Sequence, residues 1–267
     1  MEKAGGLWHN AFMDSLWDTH VHLDAMFSPV QAARRADQQG VRTWVLVASS
    51  PDAYHQQSRL LAQGILSPIR YVRTVGLHPE IAHADGALQA LRDIMERGSV
   101  AAIGEIGLPA YSFLTREAFN RNWEWLYIQL SWAEARQLPV IVHAVHAGCE
   151  PMLRILEEFP GIRQVVFHWL KAPAEAVQEA ASRRYYVGIT PDILWRGRDQ
   201  TLFTQVPPNL VLLETDAPFP HRPHNFRGEP HEIAELVRFL DAFAPQPGGW
   251  GELSVLNAQR FFGWAGQ

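Results

Sequence analysis

The eight residues Val41-Arg42-Thr43-Trp44-Val45-Leu46-Val47-Ala48 constrain the fold more than any other stretch. They are β-branched or apolar almost throughout and lack the polar alternation of a half-exposed strand. Such a run suits a strand buried on both faces, the condition met in parallel sheets covered by helices. Further strands are expected at residues 16–22, 70–76, 100–104, 139–143, 164–168, 185–189 and 209–214. Helical patterns are expected at 29–39, 51–63, 87–97, 116–136, 150–159 and 174–183, and two more at 232–242 and 253–262. Ser28-Pro29 and Ser50-Pro51 open the first two, a serine N-cap followed by proline in the first turn. In the longest, Phe119, Trp123, Leu126 and Leu130 recur at helical spacing, as core or partner-facing residues. Eight strands alternating with helices, with no break in composition, predict an α/β fold: a (β/α)8 TIM barrel forming a single domain over residues 1–267.

Composition narrows the partners. A formal net charge of -5 offers no general attraction for nucleic acid or an anionic membrane, so any phosphate recognition must be local. Cys149 is the only cysteine, which excludes an intrachain disulfide and a multi-thiolate zinc site and agrees with a reducing compartment. Residues 1–14 lack the basic flank and continuous apolar run of a signal peptide, and no apolar stretch is long enough to span a bilayer. A soluble, cytoplasmic chain is expected, with no membrane association and no obligate protein partner.

Chemistry-bearing residues sit at the predicted strand ends. His20 and His22 close the first strand and, one residue apart, project to the same face. Glu105 follows the fourth strand, His143 ends the fifth, His168 ends the sixth and Asp216 follows the eighth. In such barrels the C-terminal strand ends surround one mouth, so residues far apart in sequence converge there. Four imidazoles and two carboxylates exceed the three protein ligands of a single catalytic zinc. Two divalent ions fit better: Glu105 as a bridge, His20, His22 and Asp216 around one ion, His143 and His168 around the other. Paired cations lower the pKa of a shared water and stabilise attacking and leaving oxygens, with Asp216 as general base. Nitrogen and oxygen donors without thiolate suit zinc, manganese or cobalt, with magnesium less favoured on ligand type.

The ordered set Asp18-Thr19-His20-Val21-His22-Leu23-Asp24, Gly76-Leu77-His78-Pro79, Ile103-Gly104-Glu105-Ile106-Gly107-Leu108, Leu138-Pro139-Val140-Ile141-Val142-His143, Phe167-His168 and Glu214-Thr215-Asp216-Ala217-Pro218 resembles the TatD family of metal-dependent hydrolases. Residues 257–262 resemble that family's closing helix. The resemblance implies a TIM barrel of the amidohydrolase superfamily, a dinuclear divalent-metal site and, in many members, deoxyribonuclease activity. It carries the ligand roles onto His20, His22, Glu105, His143, His168 and Asp216, and places His78 near a substrate phosphate.

The chain departs from the family pattern at four places around the mouth: Pro109, Ala144-Val145, Trp169-Leu170-Lys171 and Gly228. The second removes a family arginine, a planar donor suited to phosphate. Arg222, Arg227, Lys171 and Arg196 are candidate replacements, and Trp169 and Trp195 are candidates to stack on a base or sugar. The expected activity is therefore phosphodiester hydrolysis on DNA ends or short oligonucleotides. The alternatives are hydrolysis of an amide, ester or lactone by the same equipment, and a non-catalytic metal-bound binding module.

Overall fold

The computed structural model describes residues 15–111, 114–220 and 227–263. Eight parallel strands run in sequence order around one sheet: β1 (Leu16–Val21), β2 (Val41–Ala48), β3 (Arg70–Val75), β4 (Ala102–Gly107), β5 (Val140–His143), β6 (Val165–Phe167), β7 (Tyr186–Ile189) and β8 (Val211–Leu213). The barrel closes between β8 and β1 through a single parallel bridge, Val21 to Ala217, where the His22 N–H donates to the Ala217 carbonyl at 2.8 Å. This is the TIM-barrel architecture expected of eight doubly buried strands. Val45, Leu46, Val47 and Ala48 of β2 are all fully buried, as the opening run required.

Helices α1 (Pro29–Gln38), α2 (Pro51–Ala62), α3 (Ala87–Arg97), α4 (Arg116–Arg136), α5 (Cys149–Leu156) and α6 (Ala174–Ser182) cover the strands. Ser50 caps α2 by accepting the Ala53 N–H at 3.1 Å, with Pro51 in the first turn. In α4, Leu126 and Leu130 are buried, but Phe119 and Trp123 lie on the exposed side, so the helical pattern divides between core and surface. No helix among the described residues is long and apolar enough to cross a membrane.

Three elements differ from expectation. Strand β4 begins at Ala102 and runs through Glu105 to Gly107, not 100–104; Gly104 does not end it but lets β4 pass close to β5, since a Cβ there would lie only 2.6 Å from the Ile141 Cβ. Glu105 is consequently a strand residue and not one that follows a strand. A further helix, α7 (Gly197–Phe203), joins β7 to β8, short and with a polar first turn that gave no long apolar period. Beyond α8 (Ile233–Phe243), the last helix, α9 (Gly249–Phe262), starts four residues before 253, inside the Pro/Gly-rich stretch.

Helix α9 plugs the barrel's N-terminal end. Its Asn257 amide donates to the Pro208 and Val211 carbonyls at 2.9 and 2.8 Å, and Phe261 meets Tyr186 edge-on. With that end sealed by apolar packing, the C-terminal strand ends face the opposite side.

Candidate metal centre

At the C-terminal mouth the structure brings together all six residues singled out at strand ends, each between 0% and 8% exposed. The Nε2 atoms of His20 and His22 lie 3.2 Å apart. Glu105 Oε2 is 3.3 Å from His20 Nε2 and 3.9 Å from His22 Nε2. Its other oxygen, Oε1, lies 2.7 Å from His143 Nδ1, 3.4 Å from His78 Nε2 and 3.6 Å from His168 Nε2. Asp216 divides likewise: Oδ1 is 3.1 Å from His22 Nε2 and 3.6 Å from His20 Nε2, while Oδ2 is 3.7 Å from His168 Nε2. Each carboxylate thus presents one oxygen to His20 and His22 and the other toward His168. The donor atoms fall into three close groups, His20 with His22 and Asp216, His78 with Glu105 and His143, and His20 with His168 and Glu214, while His168 Nε2 also faces both Glu105 and Asp216.

Local structure fixes these positions. Asp216 adopts the left-handed region (φ 53°), unfavourable for most side chains but tolerated by aspartate when the surroundings hold it. Buried Asp18 supplies the hold, accepting the Thr215 N–H at 3.0 Å and the Thr215 hydroxyl at 2.5 Å, and also the His20 N–H at 3.2 Å. One carboxylate therefore ties the β1 histidines to the loop after β8. Burial raises the Asp18 pKa well above the usual carboxylate range, against the opposing hydrogen bonds from Thr215 and His20.

Two carboxylates escaped the sequence reading. Glu214, 1% exposed, accepts from His168 Nδ1 at 2.9 Å and from the Trp169 N–H at 2.6 Å. That contact puts the His168 proton on Nδ1 and leaves Nε2 facing the cluster. The signal was present: Glu214 ends the apolar β8 run just as Asp216 follows it. Glu80, directly after His78-Pro79, lies 3.5 Å from His143 Nε2 and accepts from the Ala110 and Tyr111 N–H groups, the latter at 2.8 Å. The Glu80 N–H donates to His78 Nδ1 at 3.1 Å, so neutral His78 carries its proton on Nε2. His78 is in that form a donor at the mouth, not a lone pair.

The electrostatics are those of a dense buried cluster. Burial disfavours ionised Glu105, but His168, His78 and hydrogen bonds from His143 and His20 outweigh it and hold the carboxyl well below its usual range. Burial likewise disfavours charge on His168, yet Glu105, Glu214 and Asp216 raise it to about 10; Glu105 and Glu80 raise His143 to about 9. His20 moves the other way, lowered by burial and by His168, whose ring stacks on it at 3.7 Å.

These residues fit a divalent cation. Buried Asp216 Oδ1 makes no well-formed hydrogen bond although His22 Nε2 lies 3.1 Å away, and His143 Nε2 has only Glu80 at 3.5 Å, a poor satisfaction of polar atoms removed from water. A shared cation among nitrogen and oxygen donors satisfies them, and the donor atoms of each candidate group lie within 4.8 Å of one another.

A cavity of about 570 Å³ opens above the cluster, lined by His78, Glu80, Tyr111, Trp169, Lys171 and Phe219 among others. Arg227 lines a different cavity of about 510 Å³, with Pro218 and Glu229 among its other lining residues, and its guanidinium is 5.6 Å from the Phe27 ring centroid. Arg196 is paired with Asp192 at 3.1 Å, and Trp195 is not among the residues lining the metal-side cavity. Arg222 lies outside the described residues.

An eight-stranded parallel barrel carrying a buried histidine and carboxylate cluster at its C-terminal mouth defines a class of metal-dependent hydrolases. Within it, the family described as TatD related DNase matches residues 17–263, and the chain belongs to that family. An uncharacterized metal-dependent hydrolase of Haemophilus influenzae is 28% identical over 92% of this chain and 99% of its own. The 3'-5' ssDNA/RNA exonuclease TatD of Dickeya dadantii is 28% identical over 87% of this chain and 90% of its own. In fold, the crystal structure of the TatD homologue YJJV from Escherichia coli superposes with a TM-score of 0.80 at 24% identity, covering 94% of this chain and 99% of that one.

Proposed function

We propose that this chain is a two-metal phosphodiesterase acting on nucleic acid, a deoxyribonuclease or exonuclease of single strands. The observation that carries the reading is the split of Glu105, whose two oxygens face two different sets of imidazoles. A carboxylate so placed suits a bridge between two cations. In this reading His20, His22 and Asp216 would hold one ion, and His143 and His168 the other, with Glu105 contributing to both. When bound, the cations supply the positive charge that acidifies a water and stabilises the oxygens of an in-line displacement.

The protein groups divide the remaining work. Asp216 takes the proton from the attacking water. His78 donates from Nε2 to a nonbridging phosphate oxygen. Glu214 keeps His168 in the tautomer that leaves Nε2 available. The Dickeya relative's name, a 3'-5' exonuclease on single-stranded DNA and RNA, agrees with this substrate class. The single buried Cys149 agrees with a cytoplasmic setting.

The test is a substrate screen with protein reconstituted in turn with zinc, manganese, cobalt and magnesium. It spans bis-p-nitrophenyl phosphate, short single-stranded oligonucleotides, esters, lactones and amides. Phosphodiester cleavage with two ions per chain by elemental analysis is expected. Cleavage of carbonyl substrates alone refutes the phosphodiesterase, and saturation at one ion refutes the dinuclear centre.

A further inference from the structure

The cavity above the cluster holds one lysine or arginine among its described lining residues, Lys171. Its ammonium lies 3.7 Å from the centroid of the Trp169 ring, a cation-on-face contact that fixes a flexible side chain without neutralising it. Trp169 is itself anchored. Its backbone N–H donates to Glu214, its indole N–H donates to Asp192 Oδ2 at 3.1 Å, and its φ of 38° is a left-handed conformation that the surroundings must hold. The Lys171 carbonyl accepts the His146 N–H, which laces the loop after β6 to the loop after β5.

The neighbouring cations are committed elsewhere. Arg196 pairs with Asp192 at 3.1 Å and Arg198 with Asp199 at 2.6 Å. Lys171 forms no salt bridge among the described residues; its ammonium rests on an aromatic face, with the Asp192 and Asp199 carboxylates acting on it only beyond ion-pair distance. Burial lowers its pKa, with Asp192 opposing. The cavity also carries exposed aromatic walls, Tyr111 at 58% and Phe219 at 47%, which suit a base or sugar.

A positioned, unneutralised cation beside aromatic walls, at the rim of a cavity whose floor is the metal cluster, calls for a substrate with a second negative group. We propose that Lys171, seated on Trp169, forms a subsite for a second phosphate, one nucleotide removed from the phosphodiester at the cluster. This rests on the nucleic-acid reading above and sharpens it, because it selects substrates with consecutive phosphates over isolated diesters.

The test is a binding measurement. Calorimetric titration of the metal-reconstituted protein compares thymidine 3',5'-bisphosphate with the 5'- and 3'-monophosphates, and with a 5'-monophosphate carrying a 3'-O-carboxymethyl group. The parent is expected to bind the bisphosphate about tenfold or more tighter than either monophosphate, the gain of one charge-assisted hydrogen bond. Lys171→Met reduces that ratio below about twofold, Lys171→Arg retains most of it, and Arg198→Met, which removes a nearby charge outside the cavity, retains it fully. The proposal is overturned by a parent without the preference, by Lys171→Met keeping it, or by Arg198→Met losing it equally. A carboxymethyl ligand matching the bisphosphate also overturns it, since any anion then suffices. Because the readout is a ratio of affinities, a Lys171-dependent preference without phosphodiester cleavage refutes the nuclease alone, and cleavage without the preference refutes the subsite alone.

Discussion

Gly188 of β7 lies behind the centre and touches no candidate ligand that the sequence marks, yet Gly188→Ala is expected to impair metal binding. A Cβ built there falls 2.1 Å from Glu214 Oε1 and 2.5 Å from Oε2. Ordinary carbon–oxygen contacts are about 3.2 Å, so the carboxylate must retreat by about 1 Å or β7 must shift. The Glu214 to His168 contact of 2.9 Å then stretches to nearly 4 Å and ceases to be a hydrogen bond. Loss of one charged hydrogen bond costs about 1.5–3 kcal/mol, or roughly ten- to a hundredfold in metal affinity, the range seen when partners of metal-binding histidines are removed. The assay is competitive metal titration against a chromophoric chelator, with Glu214→Gln as comparison. Gly188→Ala retaining metal affinity within twofold, with unchanged circular dichroism, refutes the argument that Glu214 governs His168.

Other outcomes follow from the same geometry. Asp216→Asn is expected to keep at least one ion while losing about a hundredfold or more in turnover of bis-p-nitrophenyl phosphate, the share of a general base; equal turnover refutes its role as the base. Chelation is expected to lower the thermal midpoint: an ion at a hundred times its Kd adds about 2.7 kcal/mol, or about 5–10 °C for a domain of this size, and an unchanged midpoint by scanning calorimetry counts against tight metal binding. Burial, aided by Glu150, pushes the Cys149 thiol up to about 12. Its contribution to stability is therefore fully present below the thiol's unfolded value, about 8.5, and is lost as pH rises through about 12. Cys149→Ala should show a shallower fall of the midpoint with pH across that window, and the native thiol should label far more slowly with Ellman's reagent at pH 8 than in denaturant.

The positions of His20, His22, His143, His168 and Asp216 were legible because a periodic strand pattern implies a topology, and the topology implies that strand ends meet. Glu105 was found by the same logic but placed one element late, because Gly104 reads as a terminator while in the barrel it permits the close passage of β4 against β5. Glu214 and Glu80 were harder. Their significance lies in what they touch, His168 and the Ala110-Tyr111 backbone, and those contacts arise only once loops from different strands are in place. The α7 helix was missed for a local reason: seven residues with a polar first turn show too little apolar period to read.

The mouth shows most sharply where pattern stops and geometry begins. Arg227, Arg196 and Lys171 are equivalent in sequence, three cations in loops near strand ends. The structure separates them by their partners. Arg227 stands over Phe27 in a different cavity, Arg196 is bound to Asp192, and Lys171 alone of the three lines the cavity above the cluster. Position on a strand end therefore identifies a ligand for a metal, because the barrel forces convergence. It does not identify a contact for a substrate, because a loop can turn its side chain either way, and what decides is the next residue it packs on. For Lys171 that residue is Trp169, itself locked by Glu214, so the metal-facing histidine and the substrate-facing lysine share one support. A change at Glu214 should accordingly disturb metal affinity and bisphosphate preference together, whereas Lys171→Met should disturb only the second. Calorimetry on both variants separates the two, and independent responses in Glu214→Gln refute the shared support.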